Sequence, residues 1–451
     1  MNQNNEDQPT PVPRAIGAQQ AGEARDPWWW VERGVWTERM LTRLTSGESA
    51  DRVWFRLWDK TYAPANLQSA YVKVWRNGGS AGADAQTVAH FARQAEAELA
   101  GLHAQLRDGK YRPQPVRRAW IPKPGSNERR PLGIPAVRDR VVQAALRHVL
   151  EPIFETEFAE HSYGFRPGRG AKDALRRVDT LLRAGHDWVV DADLKSYFDT
   201  IPHDRLLALV KARVADGQVL ALVESFLRAG VLEEGKGWQP TERGTPQGGV
   251  ISPLLANLYL DPFDQQMART GWELVRYADD FVILCRSEAE AQAALSQVRA
   301  WVREAGLVLH PEKTRIVNAA QRGGFDFLGY HFERGMKWPR KKCLKKLREG
   351  LRAKTRRLDG RTLKDIVTDV NRTLRGWYGY FQHSHANVFP NVDGYVRRRL
   401  RSLLEKRRGY TRQGLGQAHQ RWPNEWFAKH GLLSLAEFHE FTRIIVKLRT
   451  H

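Results

Sequence analysis

The amino-acid sequence predicts an α+β fold, and three observations support this class. Short apolar runs rich in β-branched and aromatic residues indicate strands at residues 188–194 and 274–284. Longer segments between and beyond them show the apolar spacing of helices. The chain has 451 residues, 41% of them hydrophobic, so it is long enough for several domains and can bury a sizeable core.

The beginning of the chain predicts a tail followed by helices. Residues 1–27 are rich in Gln, Asn, Pro, Ala and Gly, and we expect them to form a flexible tail. The tryptophans at positions 28–30, 54 and 58 are expected to pack in a helical core. Residues 88–106 have the apolar periodicity of one helix.

The centre of the chain alternates extended and helical segments. Residues 118–135 indicate extended chain interrupted by Pro-Gly, and residues 141–154 indicate a helix. Residues 206–232 predict a helix that is broken near Gly217, and residues 289–305 predict another. Alternation of this kind, with a hairpin at 274–284, fits an α+β domain better than an all-helical one.

The charge balance favours a polyanionic partner. Lys and Arg number 72 against 51 Asp and Glu, a formal net charge of +21 with a pI near 10.1, which favours nucleic acid or an anionic membrane. No stretch reaches the ~18 apolar residues of a membrane span, and no signal-peptide pattern is present. The only cysteines, Cys285 and Cys343, exclude a disulfide scaffold and a Cys-rich zinc module. A reducing interior and a nucleic-acid partner are therefore favoured.

Most of the excess charge falls in two segments after residue 332, where the pattern is mostly helical. Residues 334–361 contain 13 Lys or Arg and 2 acids, and residues 397–412 contain 8 and 1, so they carry +11 and +7 of the +21. One such run can be an ordinary solvated helix face, but two runs with nearly all the excess favour phosphate binding. The aromatic residues between them, which either pack in a core or stack on bases, are Trp377, Tyr378, Tyr380 and Phe381.

Three acidic residues stand where strands are predicted to end or turn. Asp193 follows the apolar run at 188–190, and Asp279 and Asp280 stand at the predicted hairpin tip. Rigidly held carboxylates suit hard divalent cations, and two-metal phosphoryl transfer needs carboxylates that converge from separate segments. An Asp-Asp pair alone is common turn chemistry, so the interpretation depends on the motifs around it.

The order of those motifs resembles that of reverse transcriptases, above all those encoded with a maturase by bacterial group II introns. The Y-A-D-D hairpin at 277–280 is preceded by D-A-D-L-K-S-Y-F-D at 191–199 and by G-T-P-Q-G-G-V-I-S-P-L-L-A-N at 244–257. The resemblance runs from about residue 65 to residue 408, and its other segments are I-P-K-P at 121–124, R-P-L-G-I-P at 130–135, H-S-Y-G-F-R-P-G-R at 161–169, P-E-K-T at 311–314, F-L-G-Y at 327–330 and L-R-G-W-Y-G-Y-F at 374–381.

The resemblance implies a right-hand polymerase with fingers and palm, an N-terminal RNA-binding extension and an α-helical thumb and maturase domain. The expected domains are a flexible tail (1–27), the extension (28–110), fingers and palm (111–332), a basic helical thumb and maturase domain (333–412) and a short C-terminal segment interpreted as a DNA-binding remnant (413–451). Members that cut their own target carry a nuclease with paired cysteines, and no cysteine follows Arg412. We therefore expect no endonuclease.

The resemblance also assigns roles at the catalytic centre. It implies that Asp193, Asp279 and Asp280 are the catalytic residues and bind two Mg²⁺ ions, with deoxynucleoside triphosphates as substrates. The residues expected to bind the nucleotide are Lys123 and Arg130 at the triphosphate, Phe198 under the sugar, Gln247 along the minor groove of the nascent pair and Lys313 near the pyrophosphate. Phe198 is expected to exclude a 2′-hydroxyl, although it can also be an ordinary core residue.

Further cations are expected to contact nucleic acid from the thumb. They are Arg340, Lys341, Lys342, Lys345, Lys346, Arg397, Arg398, Arg399 and Arg401. Their expected partners are intron RNA, as template and splicing substrate, and a DNA primer or target, with no membrane partner. This set of partners predicts a protein of the bacterial cytoplasm that is associated with the nucleoid.

The implied function is RNA-templated DNA synthesis, together with binding of intron RNA to assist splicing and retrotransposition. One alternative is a splicing factor that binds RNA without polymerase activity, which the intact aspartates disfavour. Another is a relative adapted to a host role in phage defence or at a CRISPR locus, which the maturase-like segment disfavours.

Overall fold

The first part of the chain is helical. The computed structural model describes residues 26–46, 52–122, 129–409 and 415–449, so most of the predicted tail lies outside the described residues. The N-terminal helices are α1 (Glu38–Thr45), α2 (Trp58–Tyr62), α3 (Pro64–Asn77), α4 (Val88–Arg93) and α5 (Ala95–Arg107). The single helix predicted at 88–106 is wrong, because Gln94 leaves helical geometry (φ −124°, ψ 23°) and divides it into α4 and α5.

The central part alternates strands and helices, as the sequence predicts. Its elements are β1 (Val116–Pro122), β2 (Arg129–Ile134), α6 (Val137–Glu155), α7 (Ala171–Arg183), β3 (Trp188–Asp193), α8 (Tyr197–Thr200), α9 (His203–Lys211), α10 (Gly217–Leu227), β4 (Val231–Glu233), β5 (Gly237–Gln239), α11 (Ser252–Arg269), β6 (Glu273–Tyr277), β7 (Asp280–Cys285), α12 (Glu288–Glu304) and β8 (Arg315–Asn318). The predicted break near Gly217 is confirmed, since the Asp216 carboxylate caps α10 by accepting from the backbone N–H groups of Gln218 and Val219.

The final part is a small sheet followed by helices. Its elements are β9 (Phe325–Phe327), β10 (Tyr330–Glu333), β11 (Met336–Pro339), α13 (Lys341–Lys354), α14 (Leu363–Phe381), α15 (Val388–Arg407), α16 (Leu415–Arg421), α17 (Asn424–Lys429) and α18 (Leu435–Arg449). No helix among the described residues has both the length and the apolar character needed to cross a bilayer.

Two four-stranded sheets and one three-stranded sheet organise these elements. The first, with strand order β2-β1-β4-β5, forms the fingers, and the second, with order β6-β7-β3-β8, forms the palm. In the palm, β7 pairs antiparallel with both β6 and β3, and β3 pairs antiparallel with β8. The third sheet has the order β11-β10-β9 and leads into the thumb helices.

Alternation along β3 buries both faces of the palm sheet. Val190 and Ala192 point into a large core shared with the N-terminal helices, α6, α11 and α12. Val189 points to the opposite face, where α7, β9 and β10 cover the sheet. Because Asp191 and Asp193 share the side of Val189, the acids lie on the face of the palm that is turned towards the thumb.

The expected N-terminal extension does not have a separate core. Trp36 is fully buried, and its indole N–H donates to the carbonyl of His148 on α6 (2.9 Å). Trp28, Trp30, Trp54 and Trp58 pack against the same core, as predicted, whereas Trp29 is largely exposed. The C-terminal helices likewise share the core of the thumb through buried residues such as Trp422 and Phe427.

Candidate active site

The strand register places the three predicted acids together. Asp193 is the residue of β3 that pairs directly with Asp280 of β7, and Asp279 occupies the turn between β6 and β7. Side chains of directly paired residues have Cβ atoms about 4.5–5.5 Å apart. Ala278, the other turn residue, has a positive φ of 60°, which turns the chain sharply before the two aspartates.

The acids repel one another in a partly buried setting. Burial raises the pKa of Asp280 to about 7, and the charges of Asp191, Asp193 and Asp279 add to this increase. Burial also raises the pKa of Asp279, with the charge of Asp193 acting in the same direction. A cation among these carboxylates would relieve the repulsion and restore their charged forms.

Two basic side chains already neutralise part of this charge. Lys313 Nζ forms an ion pair with the Asp193 carboxylate, and Arg315 Nε lies 3.2 Å from the Asp191 carboxylate. Among the described residues, no group of three or more His, Cys, Asp or Glu side chains is arranged so that it could hold a metal ion. The all-oxygen donor set nevertheless fits hard divalent cations, provided that Asp193 exchanges Lys313 for metal.

A buried arginine that we did not predict holds the β6–β7 hairpin. Arg276 on β6 is fully buried and pairs with the Asp264 carboxylate of α11 through Nε (2.7 Å). Its Nη1 donates to the Ala278 carbonyl (2.8 Å) and to Asn257 Oδ1 (3.1 Å). The sequence carried one signal of this role, a charged residue inside an otherwise apolar strand, and a buried arginine requires a partner.

The S-Y-G-F-R segment is clamped against the same hairpin. The Gly164 carbonyl accepts from Asn257 Nδ2 (2.8 Å), and a Cβ on Gly164 would lie 2.3 Å from the Ala278 nitrogen. Only glycine therefore allows this close approach to the turn. The Arg276 guanidinium also donates to Ser162 Oγ (2.7 Å). The same arginine therefore contacts both the hairpin and the S-Y-G-F-R segment.

The predicted triphosphate contacts lie on the fingers hairpin. Arg130 is exposed on β2, where it pairs with Ile121 of β1. Burial raises the pKa of Asp279, and the positive charge of Arg130 partly opposes this effect, so Arg130 lies within electrostatic reach of that carboxylate. Lys123, the other predicted contact, lies outside the described residues.

Gln247 and its glycines join the fingers to the palm. The Gln247 backbone carbonyl accepts from the backbone N–H of Gly133 (2.7 Å), and the Gln247 side-chain Nε2 donates to Asp199 Oδ2 (3.4 Å). Gly248 has a φ of +119°, and a Cβ there would lie 2.3 Å from the Gly133 carbonyl oxygen. The motif thus needs glycine for the close contact between the two subdomains.

Phe198, the predicted sugar contact, is half-buried at the edge of the site. Its ring lies 5.6 Å from that of Tyr197 and 6.4 Å from that of Phe165, with an edge-on geometry in both pairs. Phe165 in turn contacts Tyr277 of the hairpin, with ring centroids 6.4 Å apart. The three aromatic residues at 165, 198 and 277 therefore lie beside the carboxylates.

The thumb presents most, but not all, of its predicted cations to solvent. The prediction that Arg401 contacts nucleic acid is wrong, because this residue is buried. It donates to the Trp422 carbonyl (2.9 Å) and to Asn424 Oδ1 (2.9 Å), so it stabilises the fold. Arg399 is half-buried and donates to the Thr355 carbonyl (2.6 Å). The exposed members of the predicted set are Arg340, Lys341, Lys342, Lys345, Lys346 and Arg398.

The aromatic residues between the two basic runs serve mainly to pack the fold. Tyr378 and Phe381 are buried, and Trp377 and Tyr380 are half-buried against their neighbours. Of the two interpretations that the sequence allowed, packing in a core is the one that the structure favours.

The chain matches two protein-family models in adjacent segments. Residues 121–332 match the family described as reverse transcriptase (RNA-dependent DNA polymerase). Residues 344–423 match the group II intron maturase-specific domain. The first match contains the palm strands and all three acids, and the second contains most of α13 together with α14 and α15.

The chain is also similar to two curated bacterial proteins and to one solved structure. Protein YkfC of Escherichia coli strain K12 is 36% identical over 277 residues, which cover 52% of this chain and 71% of YkfC. The group II intron-encoded protein LtrA of Lactococcus lactis subsp. cremoris is 39% identical over 235 residues, 51% of this chain and 38% of LtrA. A solved structure described as a partial Cas6-RT-Cas1–Cas2 complex is 27% identical, with a TM-score of 0.36, over 55% of this chain and 41% of that chain.

The fold and the site define a template-directed polymerase of the reverse transcriptase class, whose members use divalent metal ions and deoxynucleoside triphosphates. The chain belongs to the family of group II intron-encoded reverse transcriptases and maturases. The α+β right-hand fold and the family resemblance expected from the sequence are thereby confirmed.

Proposed function

We propose that this chain copies RNA into DNA with two Mg²⁺ ions held by Asp193, Asp279 and Asp280. The observation that supports the proposal best is the direct pairing of Asp193 with Asp280 beside the Asp279 turn, which gathers three carboxylates from two segments. Bound divalent ions would activate the primer 3′-hydroxyl and neutralise charge on the phosphate that is transferred. The chain's own residues would hold the reactants in line.

The neighbouring side chains have separate tasks in this proposal. Arg130 and Lys123 bind the triphosphate, with the arginine fork suited to two phosphate oxygens. Lys313 leaves Asp193 when metal enters and then faces the departing pyrophosphate. Gln247 lies along the minor groove, and Phe198 blocks a 2′-hydroxyl on the incoming sugar.

The thumb is the proposed RNA-binding surface. Its exposed cations project from α13 and α15, whose opposite faces are buried in the thumb core. This arrangement leaves one face of each helix available to phosphates. We propose that the chain binds intron RNA there as template and splicing substrate, together with a DNA primer or target, in the bacterial cytoplasm at the nucleoid.

Primer extension on an RNA template with purified protein and Mg²⁺ tests the catalytic proposal. Asp279→Ala should abolish extension and leave RNA binding unchanged, because the exposed thumb cations that are proposed to bind phosphates are intact in this variant. Asp59→Ala, which removes an exposed carboxylate from α2, is the matched control and should retain extension. Extension at the wild-type rate by Asp279→Ala would refute the metal-site assignment.

A splicing assay with the cognate intron separates the proposal from its alternatives. A splicing factor without polymerase activity would promote splicing but would not extend a primer with any metal. A host-adapted relative would extend a primer but would not promote splicing. The proposed function requires both activities from the same preparation.

A further inference from the structure

We propose that Phe165 is a positioning residue that fixes the ring of Phe198 and thereby sets discrimination between deoxyribonucleotides and ribonucleotides. The inference rests on the proposed role of Phe198 at the sugar. It is carried by the backbone conformation of Phe165, the anchors on either side of it and the contacts of its ring.

Phe165 has an unfavourable backbone conformation. Its φ is +60°, in the left-handed region that bulky L-residues rarely adopt because Cβ crowds the following carbonyl. Glycine would adopt this conformation without that strain. Strained residues of this kind persist where the surroundings over-determine them, and they cluster at functional sites.

Anchors on both sides of Phe165 maintain this conformation. On one side, Gly164 is held by Asn257 and packs directly on the catalytic turn at Ala278. On the other side, the buried Arg166 guanidinium donates to Glu155 Oε1 (2.9 Å) and to neighbouring backbone carbonyls. The loop is thus fixed to the palm, and the direction of the Phe165 side chain is fixed with it.

Burial does not account for the choice of phenylalanine. The Phe165 residue is 45% exposed, so its ring adds little to the hydrophobic core. The ring contacts Phe198 at 6.4 Å with an interplanar angle of 84°, and Tyr277 at 6.4 Å with an angle of 40°. Tyr277 lies two residues before Asp279, and Phe198 lies five residues after Asp193, so the strained residue braces both segments that carry the carboxylates.

Apart from its contact with Phe165, the ring of Phe198 is packed on one side only. Phe198 packs on Tyr197 and the palm core, and Phe165 meets it edge-on. Without the Phe165 ring, Phe198 would gain room to rotate away from the sugar. A 2′-hydroxyl would then be admitted more readily, while the metal-binding carboxylates would be unchanged.

The test compares kcat/KM for each deoxynucleotide with that for the matching ribonucleotide in primer extension. Phe165→Gly and Phe165→Leu should lower this discrimination about tenfold, the scale of a lost apolar pocket contact. Phe165→Tyr keeps the ring and should retain the wild-type ratio. Phe165→Gly also relieves the strained φ, so its Tm should not fall below that of the wild type.

Two further variants make the outcomes distinguishable. Ala85→Gly relieves another positive φ (57°) at an exposed position in the N-terminal part and should leave the ratio unchanged. Phe198→Ala tests the proposed sugar contact itself and should lower the ratio at least as much as Phe165→Gly.

The other combinations of discrimination ratios for the Phe165 and Phe198 variants each contradict one of the two proposed roles. If Phe198→Ala lowers the ratio and Phe165→Gly does not, the inference is wrong and the proposed sugar contact stands. If neither variant lowers it, both are wrong. If only the Phe165 variants lower it, Phe165 does not act through Phe198, and the inference is again refuted.

Discussion

At the scale of single residues, the three acids of the candidate site have different electrostatic surroundings. Asp193 has a lysine partner, while Asp279 and Asp280 sit in a partly buried turn that raises their pKa values. The same hairpin is held by the buried Arg276, which forms an ion pair with Asp264. The face that carries the three acids is thus short of positive charge, whereas the buried Arg276–Asp264 pair is balanced.

We predict that Lys313 competes with metal for Asp193. Lys313→Gln should lower the Mg²⁺ concentration for half-maximal extension about two- to fivefold, because an exposed ion pair contributes at most about 1 kcal/mol. It should also lower kcat if Lys313 assists the leaving group. The measurement is a Mg²⁺ titration of primer extension. Lys211→Gln, an exposed lysine at the end of α9, is the matched control, and an equal shift in both variants would contradict the prediction.

We predict that Arg276 has separable roles in stability and in activity. Arg276→Met should lower the free energy of unfolding by about 3–5 kcal/mol, because it leaves the Asp264 charge buried without its partner. The double variant with Asp264→Leu should recover most of that loss. Extension should stay reduced, since the Ala278 carbonyl still lacks its donor. Urea unfolding and primer extension measure the two effects, and full recovery of both would reduce Arg276 to a structural role.

At the scale of elements, helix α6 connects the N-terminal helices to the polymerase. His148 on α6 is buried, with Nδ1 donating to Asn66 Oδ1 (2.8 Å) and Nε2 accepting from Lys73 Nζ (2.7 Å). The Asn66 amide nitrogen donates to backbone carbonyls, which leaves its oxygen as the acceptor and fixes this histidine tautomer. Burial, aided by the charges of Lys73 and Arg147, lowers the pKa of His148 to about 3.

We predict that this contact makes the fold sensitive to acid. The folded pKa is below the unfolded value of 6.5, so the stabilising contribution is present above pH 6.5 and is lost as the pH falls towards 3. Between pH 7 and pH 5 the loss should be about 2 kcal/mol. Urea unfolding at both pH values measures it, with His148→Gln as a variant without the titrating ring. The same pH dependence in both proteins would contradict the prediction.

The sequence predicted the elements of the site better than their interruptions and supports. Patterns of apolar residues located β3, the β6–β7 hairpin and the break before α10, because local alternation and capping determine these features. The break at Gln94 was missed, since it has no proline or glycine signal. Arg276, Asp264 and Phe165 were missed because their roles depend on partners far away in sequence, which no local pattern encodes.

At the scale of the whole molecule, the segment that carries the excess positive charge is distinct from the segments that share the large hydrophobic core. Nearly all the positive charge excess lies in the thumb, whereas the N-terminal helices, fingers and palm share one large core. The charge asymmetry was visible in the sequence. The burial of Arg401 was not, because a cation inside a basic run gives no sign that it faces inward.

We predict that the exposed face of α13 determines the salt dependence of RNA binding. Replacing Lys341, Lys342, Lys345 and Lys346 with Gln should reduce the slope of log K against log salt by at most about 3–4, since each phosphate contact contributes about 0.7–0.9. The control replaces four exposed cations elsewhere, Lys211, Arg228, Arg299 and Arg303. RNA binding titrated at several salt concentrations measures the slope. Equal slopes in the two variants would argue against the thumb surface.

The shared core of the N-terminal helices has a practical consequence for shortened versions of this protein. Trp36 and its neighbours cover α6. A fragment that begins at β1 would therefore expose a large hydrophobic surface to water. Such a fragment should aggregate during expression. Reagent design or crystallisation trials therefore need to retain the chain from Trp28 onward, even if the polymerase alone is wanted.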